Sequence, residues 1–280
     1  RILGQQYHAV VGNPPYITEK DPSKRKKYRD MYESAAGKYA LSAPFIERFF
    51  DLGVEDGFVG MINSNAWTKR DFGKVVIENV LNRLDVHKII DTSGCYLPGH
   101  GTPTLLLFGR NRKPGETEIL GVLGKRGETT LPLTPARAPV WSEIVQSHNA
   151  AGFDGSFVSV ELVSRTALRA HPWVLVGGGA RSLMQHLMIV SAQKLRDVTD
   201  PIGYPAITGE DAAYVAPDHG TFHRMGVNED ELREFVEGEN TRDWNSTAAS
   251  CVFPYNDDGT PRELSGAYRH LWPNRSRLAS

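Results

Sequence analysis

Short apolar runs alternate with longer stretches of helical spacing along the first part of the chain. Short runs bounded by turn residues are typical of buried strands in a parallel sheet. We predict four such strands, at residues 7–11, 56–62, 86–91 and 104–109.

Two helices are predicted between these strands, because apolar residues recur there every three or four positions. Ser42 is the expected N-cap of the first helix, whose first turn tolerates Pro44. Thr68 and Asp71 are expected to cap the second. The segment before the first helix is predicted to be a polar loop. The apolar faces consist of Leu41, Phe45, Ile46, Phe49 and Phe50 in the first helix and of Phe72, Val75, Val76, Val80 and Leu81 in the second.

The alternation of strands and helices indicates an α/β fold, most simply a doubly wound sheet. In such sheets ligands bind beyond the carboxyl ends of the strands. The tetrapeptide Asn13-Pro14-Pro15-Tyr16 directly follows the first predicted strand. We therefore expect it at a ligand site.

The pattern changes after residue 113, where glycine- and proline-rich joints surround a short strand. We expect the first layer to end there. Residues 157–162 alternate like a strand, and residues 180–195 predict a helix. Three segments follow from this pattern, at residues 1–114, 115–199 and 200–280. The apolar face of the later helix consists of Leu183, Met184, Leu187, Met188 and Leu195.

Composition limits the classes of protein that the chain can represent. The 280 residues include 32 Lys and Arg against 33 Asp and Glu, so any surface for nucleic acid must be local. Two cysteines, Cys95 and Cys251, are too few for a disulfide framework or a thiolate zinc site, which favours a cytoplasmic protein. No apolar run reaches the ~18 residues of a membrane span. Because the sequence begins at Arg1 without a methionine, we expect it to be a piece of a longer protein.

The chemistry of the tetrapeptide suits an amine that is a poor nucleophile because its lone pair is delocalised into an aromatic ring. Two acceptors on the amine hydrogens favour a tetrahedral nitrogen and direct its lone pair at an electrophile. Asn13 offers a side-chain carbonyl and Pro14 a backbone carbonyl, which Pro15 aims by restricting Pro14 to extended conformations. Tyr16 offers a face on which a base can stack, for about 1–3 kcal/mol. A duplex base must be flipped out to reach such a site.

Asn13-Pro14-Pro15-Tyr16 at a strand end resembles the catalytic motif of S-adenosyl-L-methionine-dependent methyltransferases that act on adenine N6 in DNA. The segments KYALSAPFIERF, DGFVGMINSNAWTKRDFGKVVIENVL and IIDTSGCYLPGHGTPTLLLFGRNRKP match in order. The last is especially similar to the PglX family of BREX and phage-growth-limitation defence systems. The resemblance implies the C-terminal half of a Rossmann-like methyltransferase sheet. Residues 153–280 resemble that family's bridge into a target-recognition region.

The resemblance also implies roles for individual residues. Asn13 and Pro14 would accept hydrogen bonds from the target amine, and Asn13 would also lie near the cofactor. Tyr16 would stack on the flipped adenine. Phe45 matches the aromatic residue that packs on the cofactor adenine, although a helical core face would explain it equally. The aromatic residue that grips the target base in this family is expected near Leu97, and in this chain it is either displaced to Tyr96 or absent.

The glycine-rich cofactor loop that precedes the motif in this family has no equivalent upstream in the chain. The glycines of VGGGAR, residues 176–181, lack the acidic partner and the strand-to-helix position of such a loop, so a flexible loop is the better interpretation. We therefore predict that the chain is inactive alone. His219 and His223 have metal-like spacing without companion ligands, which favours surface histidines over a metal site.

A basic run lies close to the motif. It contains Lys24, Arg25, Lys26 and Lys27. Such a run is commonly a solvated surface, and beside a flipped-base pocket it could equally neutralise DNA phosphates.

The sequence thus predicts a site-specific DNA adenine methyltransferase that uses double-stranded DNA and S-adenosyl-L-methionine, works in a defence or restriction-modification system and has other defence proteins as candidate partners. Release-factor glutamine methyltransferases have a similar motif, but the 264 residues after Tyr16 favour DNA. Cytosine N4 methylation and a non-catalytic DNA-recognition subunit are also compatible with the motif.

Overall fold

The computed structural model of the chain describes residues 4–99, 101–199, 208–243, 245–256 and 258–278. The backbone forms two compact units, of which the first ends at Ala192 and the second begins at Gln193. Across these described ranges, no helix has both the length and the apolar character needed to cross a bilayer.

The first unit is built on a six-stranded mixed sheet, which confirms the α/β class. Its strand order is β1-β2-β4-β3-β5-β6. Strand β1 is parallel to β2, and β3 is parallel to β5, while β4 runs antiparallel to both β2 and β3. The carboxyl ends of β1, β2, β3 and β5 therefore share one edge, which we call the carboxyl edge. The strands are β1 (Tyr7–Gly12), β2 (Gly53–Ser64), β3 (Asp85–Asp91), β4 (Thr104–Arg110), β5 (Glu118–Gly124) and β6 (Val158–Ser164).

Strand β1 lies where the sequence predicts a strand, but it is not buried. It pairs with β2 alone among the described strands, so it forms an edge of the sheet. Val11 is 81 % exposed, and His8 and Ala9 are exposed as well. Burial of an apolar strand depends on what pairs and packs beside it, and a strand's own apolar pattern does not report this.

Helix α1 (Pro22–Met31) occupies the segment predicted to be a loop. Asp21 caps it, since its side chain accepts from the backbone N–H groups of Ser23, 2.8 Å away, and Lys24, 3.4 Å away. Pro22 stands in the first turn, where a missing N–H costs nothing. The hydroxyl and amide of Ser23 lower the pKa of Asp21, which keeps the cap ionised.

Helix α2 (Ser42–Asp51) matches the first predicted helix. Ile46 and Phe50 are buried in the core, and Leu41 and Phe49 pack against it. Ser42 is not the N-cap, because the helix begins at that residue after Leu41, and its buried hydroxyl has no partner.

The second predicted helix is broken into short turns. A 3₁₀ turn (Asn65–Thr68) precedes α3 (Gly73–Val75), a π-helical turn (Val76–Val80) and another 3₁₀ turn (Leu81–Arg83). Neither expected cap forms: the Thr68 hydroxyl donates to the Asn65 carbonyl, and no capping bond is made at the start of α3. A Cβ on Gly73 would lie 1.6 Å from the Trp67 carbonyl oxygen, so the chain turns too tightly here for a regular helix.

Strands β5 and β6 continue the same sheet, so the first layer does not end near residue 114. Beyond β6, Arg165 donates to the buried Asp85 of β3 over 2.6 Å, and Arg112 Nε donates to the other carboxylate oxygen over 2.8 Å. Helix α4 (Pro139–Ser147) covers the face of β5 and β6 with Val140 and Ile144.

Helix α5 (Ala180–Val190) confirms the last predicted helix of this unit. Its predicted apolar face is exposed, however, including Leu183, Leu187 and Met188. Leu195 lies outside it, at the start of α6 (Leu195–Val198).

The second unit contains a three-stranded antiparallel sheet of order β7-β9-β8. Its core includes Phe222, Leu232 and Val252. The buried carboxylate of Glu231 accepts from the amides of Ser265 and Ala267 and so joins the start of β8 to a helix. Its helices and strands are α6, α7 (Asp211–Tyr214), β7 (Val215–Ala216), α8 (His219–Arg224), β8 (Leu232–Arg242), β9 (Asn245–Val252), α9 (Gly266–Leu271) and α10 (Arg275–Leu278).

Candidate active site

The tetrapeptide begins at the residue after β1 and therefore lies at the carboxyl edge. Asn13 and Pro15 are exposed, Pro14 is buried and Tyr16 is half-buried. One residue further on, the carbonyl of Ile17 accepts from the Leu41 amide over 2.8 Å. This bond holds the end of the motif beside the start of α2.

Asn13 and Tyr16 contact each other within the motif. The Tyr16 hydroxyl donates to Asn13 Oδ1 over 2.7 Å. Desolvation raises the pKa of Tyr16, so this hydroxyl stays protonated and able to donate at neutral pH. Among the residues that the structure describes, no backbone N–H donates to Asn13 Oδ1 or to the Pro14 carbonyl. Within the described part of the chain, both predicted acceptors are thus free of backbone donors.

Aromatic side chains of α2 lie against the end of β1. A Cβ on Gly12 would lie 2.8 Å from Cζ of Phe49, so the Phe49 ring occupies the space that any larger residue would fill. Phe45 packs edge-on against Phe49, with 6.0 Å between ring centroids. Phe45 is 37 % exposed. A role in the core therefore does not account for Phe45, and its ring is accessible beside the motif strand.

The basic run forms the exposed surface of α1. Lys24, Lys26 and Lys27 are exposed, whereas Arg25 is half-buried. The Arg25 carbonyl accepts from the hydroxyl of Tyr39, 3.2 Å away. This contact joins α1 to the segment that leads into α2, so the cations are held in an ordered helix near the motif.

Tyr96 and Leu97 lie between β3 and β4, at the carboxyl edge, and both are half-buried. Together with Trp141 they line a groove of about 150 Å³. Sheet order separates the end of β3 from the end of β1 by three strand spacings, so the structure places these residues at the same edge as Asn13 without direct contact. Cys95 lines the same groove, and burial raises the pKa of its thiol to about 12, which keeps it protonated.

The glycines of VGGGAR have a packing role. The Gly177 amide donates to the Gly124 carbonyl over 3.0 Å, and a Cβ on Gly177 would lie 2.4 Å from the Ser159 hydroxyl oxygen. Gly178 and Gly179 have φ values of 68° and 81°. The segment is thus fixed against β5 before α5 begins, where the sequence predicted a flexible loop.

The predicted histidine pair lies in the second unit. His219 Nδ1 and His223 Nε2 lie 3.6 Å and 2.5 Å from the carboxylate oxygens of Glu229. Within the described ranges, no group of three or more His, Cys, Asp or Glu side chains could hold a metal ion.

Comparison with known proteins confirms the predicted resemblance. Residues 3–96 match the family described as Eco57I restriction-modification methylase. The chain is 37 % identical over 291 aligned residues to the adenine-specific methyltransferase PglX of Streptomyces coelicolor, an alignment that covers 98 % of this chain and 24 % of PglX. It is also 33 % identical over 88 residues to the type II methyltransferase M.BstVI of Geobacillus stearothermophilus, covering 31 % of this chain and 16 % of that protein.

Among solved structures, the type IIL restriction-modification enzyme MmeI in complex with DNA has a similar fold. The TM-score is 0.57 at 11 % identity, covering 97 % of this chain and 33 % of MmeI. The chain therefore spans about a quarter to a third of the PglX and MmeI polypeptides.

Proposed function

We propose, from the homology with PglX, that this chain carries the catalytic motif of a site-specific enzyme that methylates adenine N6 in DNA. The observation that carries the proposal is the pair of acceptors at the carboxyl edge, Asn13 Oδ1 and the Pro14 carbonyl, beside the Tyr16 ring. Neither oxygen accepts from a backbone N–H of the described residues.

The two oxygens activate the target amine by accepting one hydrogen bond from each of its two N–H groups. The Tyr16 hydroxyl donates to Asn13 Oδ1 in this structure, and one N–H of the target amine takes over this hydrogen bond when the base enters. The Pro14 carbonyl accepts the hydrogen bond of the other amine hydrogen. Pro15 aims this carbonyl by keeping the backbone of Pro14 extended. These two hydrogen bonds withdraw the nitrogen lone pair from the ring and direct it outward. They therefore stabilise the transition state more than the planar ground state.

The DNA partner is double-stranded, and the target base must leave the stack to reach the motif. Tyr16 then supplies the stacking face that replaces the lost neighbours in the duplex. Tyr96 or Leu97, in the segment after β3, borders the flipped base from the other side. The cations of α1, Lys24, Arg25, Lys26 and Lys27, neutralise phosphates beside it.

S-adenosyl-L-methionine supplies the electrophilic methyl group when bound. The exposed ring of Phe45, held edge-on by Phe49, fits one aromatic face of its adenine. Asn13 lies at the end of the strand against which Phe49 packs, so the acceptor and this aromatic surface are adjacent. The remainder of the cofactor site belongs to other parts of the full-length enzyme, and the chain alone is inactive.

The biological setting follows from the same homology. We place the enzyme in the cytoplasm, as part of a phage-defence or restriction-modification system in which it works with other defence proteins. Its free thiols, Cys95 and Cys251, suit a reducing compartment.

The test is methyl transfer by the full-length protein, with labelled S-adenosyl-L-methionine and unmethylated host DNA. We expect N6-methyladenine as the product and a loss of about 10²–10³-fold in rate for Asn13→Ala, as for removal of one polarising group from a preorganised site. Asn149→Ala, at an exposed asparagine after α4, is the matched control. Methylated cytosine as the product, no methyl transfer to DNA, or an Asn13→Ala variant with full activity would overturn the proposal.

A further inference from the structure

A cavity of about 540 Å³ opens at the carboxyl edge, beyond the ends of β2, β3 and β5. No motif in the sequence points to it, and the proposed chemistry at Asn13 does not use it. Every residue that lines it lies between Asn65 and Val176, within the first unit.

The floor of the cavity is apolar and rigid. Trp173 is 4 % exposed and donates from Nε1 to the Leu168 carbonyl over 2.8 Å. Its ring packs edge-on against Trp67, with 5.2 Å between centroids. Leu105 and Leu175 complete the floor. These side chains are buried and fixed in position, so the cavity is preformed, but their faces are not open to stacking by a ligand.

Hydrogen-bond acceptors line one side of the cavity. Asp91, the last residue of β3, accepts from the Ser93 amide over 2.9 Å through Oδ1. Its Oδ2 lies over Gly124, only 2.8 Å from the position of a Cβ there. No cation of the described residues forms an ion pair with Asp91. The carboxylate therefore retains capacity to accept from a ligand.

A second polar group lies on the same face of the sheet. Leu105 of β4 is paired with Asp91 of β3 on one side and with Asn63 of β2 on the other. Directly paired residues of antiparallel strands share a face, so the three side chains form one row. Asn63 is fully buried and its Oδ1 has no hydrogen-bond partner. Asp91 lines the cavity and Asn63 does not, so Asp91 is the polar member of this row that a ligand can reach.

Cations border the opening. Lys69 follows the 3₁₀ turn after β2 and is exposed. Lys125 and Arg126 follow β5. Lys125 is held by Asp154 over 2.7 Å, and Arg126 Nε donates to the Ser156 carbonyl over 2.8 Å, so both side chains have fixed positions.

A ligand that suits this cavity carries hydrogen-bond donors and is negatively charged. A nucleotide has both properties. Asp91 stands three strand spacings from the end of β1, roughly 14 Å along the edge. Successive nucleotides of one strand are about 3.4 Å apart along the duplex axis, so roughly four nucleotides span this distance, and a base that enters the cavity must leave the stack as the target base does.

We propose that this cavity binds a second nucleotide of the DNA, flipped out of the duplex within about four positions of the target adenine, with a base donor on Asp91. This inference rests on the proposed function and assigns a specificity-determining site to the same enzyme. Lys69 neutralises a phosphate at the opening.

The test uses the full-length enzyme and a duplex that carries its mapped methylation site, with a single abasic position moved along each strand. We expect one position near the target where base removal weakens binding by about tenfold in the wild type and by less than about twofold in Asp91→Asn, because that variant no longer accepts the base donor. We expect Lys69→Ala to lower the slope of log K against log salt by about one, while Lys113→Ala, at the opposite edge of the sheet, leaves it unchanged.

Val176→Trp provides a second variant that does not disturb the bonds of Asp91. It fills the cavity from an exposed lining position, and it should remove the effect of the same abasic substitution. Equal effects of every abasic duplex on the wild type and on both variants would refute the cavity site. If methylation still depends on Asn13 in that case, the proposed function stands and only the second site fails.

Discussion

The Phe49 ring lies directly against Gly12, the residue that precedes the Asn13-Pro14-Pro15-Tyr16 motif. A Cβ at Gly12 would lie 2.8 Å from Phe49 Cζ, well inside van der Waals contact. We therefore expect Gly12→Ala to displace the ring and destabilise the protein by about 1–3 kcal/mol. Denaturant unfolding measures the effect. The double variant Gly12→Ala/Phe49→Leu should recover part of the loss, and equal stability of Gly12→Ala and the wild type would show that the contact is loose.

Tyr16 combines a hydroxyl bonded to Asn13 with a ring for stacking, and two substitutions separate these roles. We expect Tyr16→Phe to retain stacking and to lower the single-turnover methylation rate of the full-length enzyme by less than about tenfold. Tyr16→Ala also loses stacking worth about 1–3 kcal/mol and should fall further, by up to about a hundredfold. Equal rates for the two variants would exclude a stacking role.

Phe45 is proposed to contact the cofactor, and its exposure makes that role separable from folding. We expect Phe45→Ala in the full-length enzyme to weaken binding of S-adenosylhomocysteine, measured by calorimetry, by about tenfold, as expected when one aromatic ring is removed from the site. Stability should change little. Phe50→Ala is the matched control from the same helix, because Phe50 is buried and its truncation should cost about 3–5 kcal/mol. Unchanged cofactor affinity in Phe45→Ala would assign Phe45 to packing alone.

The cations of α1 are proposed to contact DNA phosphates. Replacing Lys24, Lys26 and Lys27 by Gln in the full-length enzyme should lower the slope of log K against log salt by about 0.9 for each phosphate that is no longer neutralised. Fluorescence anisotropy at several salt concentrations measures that slope. Lys113→Gln, at the other edge of the sheet, provides the control. A slope that stays the same after all three replacements would make α1 an ordinary solvated surface.

Spacing of apolar residues predicted α2 and strands β2, β3, β4 and β6 well, because those elements bury one face or both. It also located β1, although that strand is not buried. Apolar spacing did not predict helix α1, because its surface is mostly charged and none of its residues is buried. The signal that could have identified it was local: Asp21 as a capping residue, followed by Pro22 in the first turn.

The second helix shows where local patterns fail. Thr68 and Asp71 are suitable caps in isolation, but the close approach of Gly73 to the Trp67 carbonyl forces a tight turn between them. That approach follows from burial of Trp67 against Trp173, which is a contact between distant parts of the chain. Tertiary packing of this kind overrides helix propensity and cannot be read from a window of residues.

The candidate site was predictable only in part, for the same reason. The motif residues are adjacent in the chain, so their chemistry can be argued from the amino-acid sequence alone. They are Asn13, Pro14, Pro15 and Tyr16. The contact of Phe49 with Gly12 and the cavity beside Asp91 depend on which strands become neighbours. The insertion of β4 between β2 and β3, antiparallel to both, sets that arrangement.

The strand order also determines where the polypeptide can be cut. A product that ended at residue 114 would lack β5, so the backbone of Lys88, Ile89 and Ile90 would lose its parallel neighbour. Asp85 would keep Arg112 and lose Arg165. The newly bared edge of β3 would be a template for pairing with other chains, and aggregation is the expected result. The smallest folding unit that can present Asn13 therefore extends beyond β6.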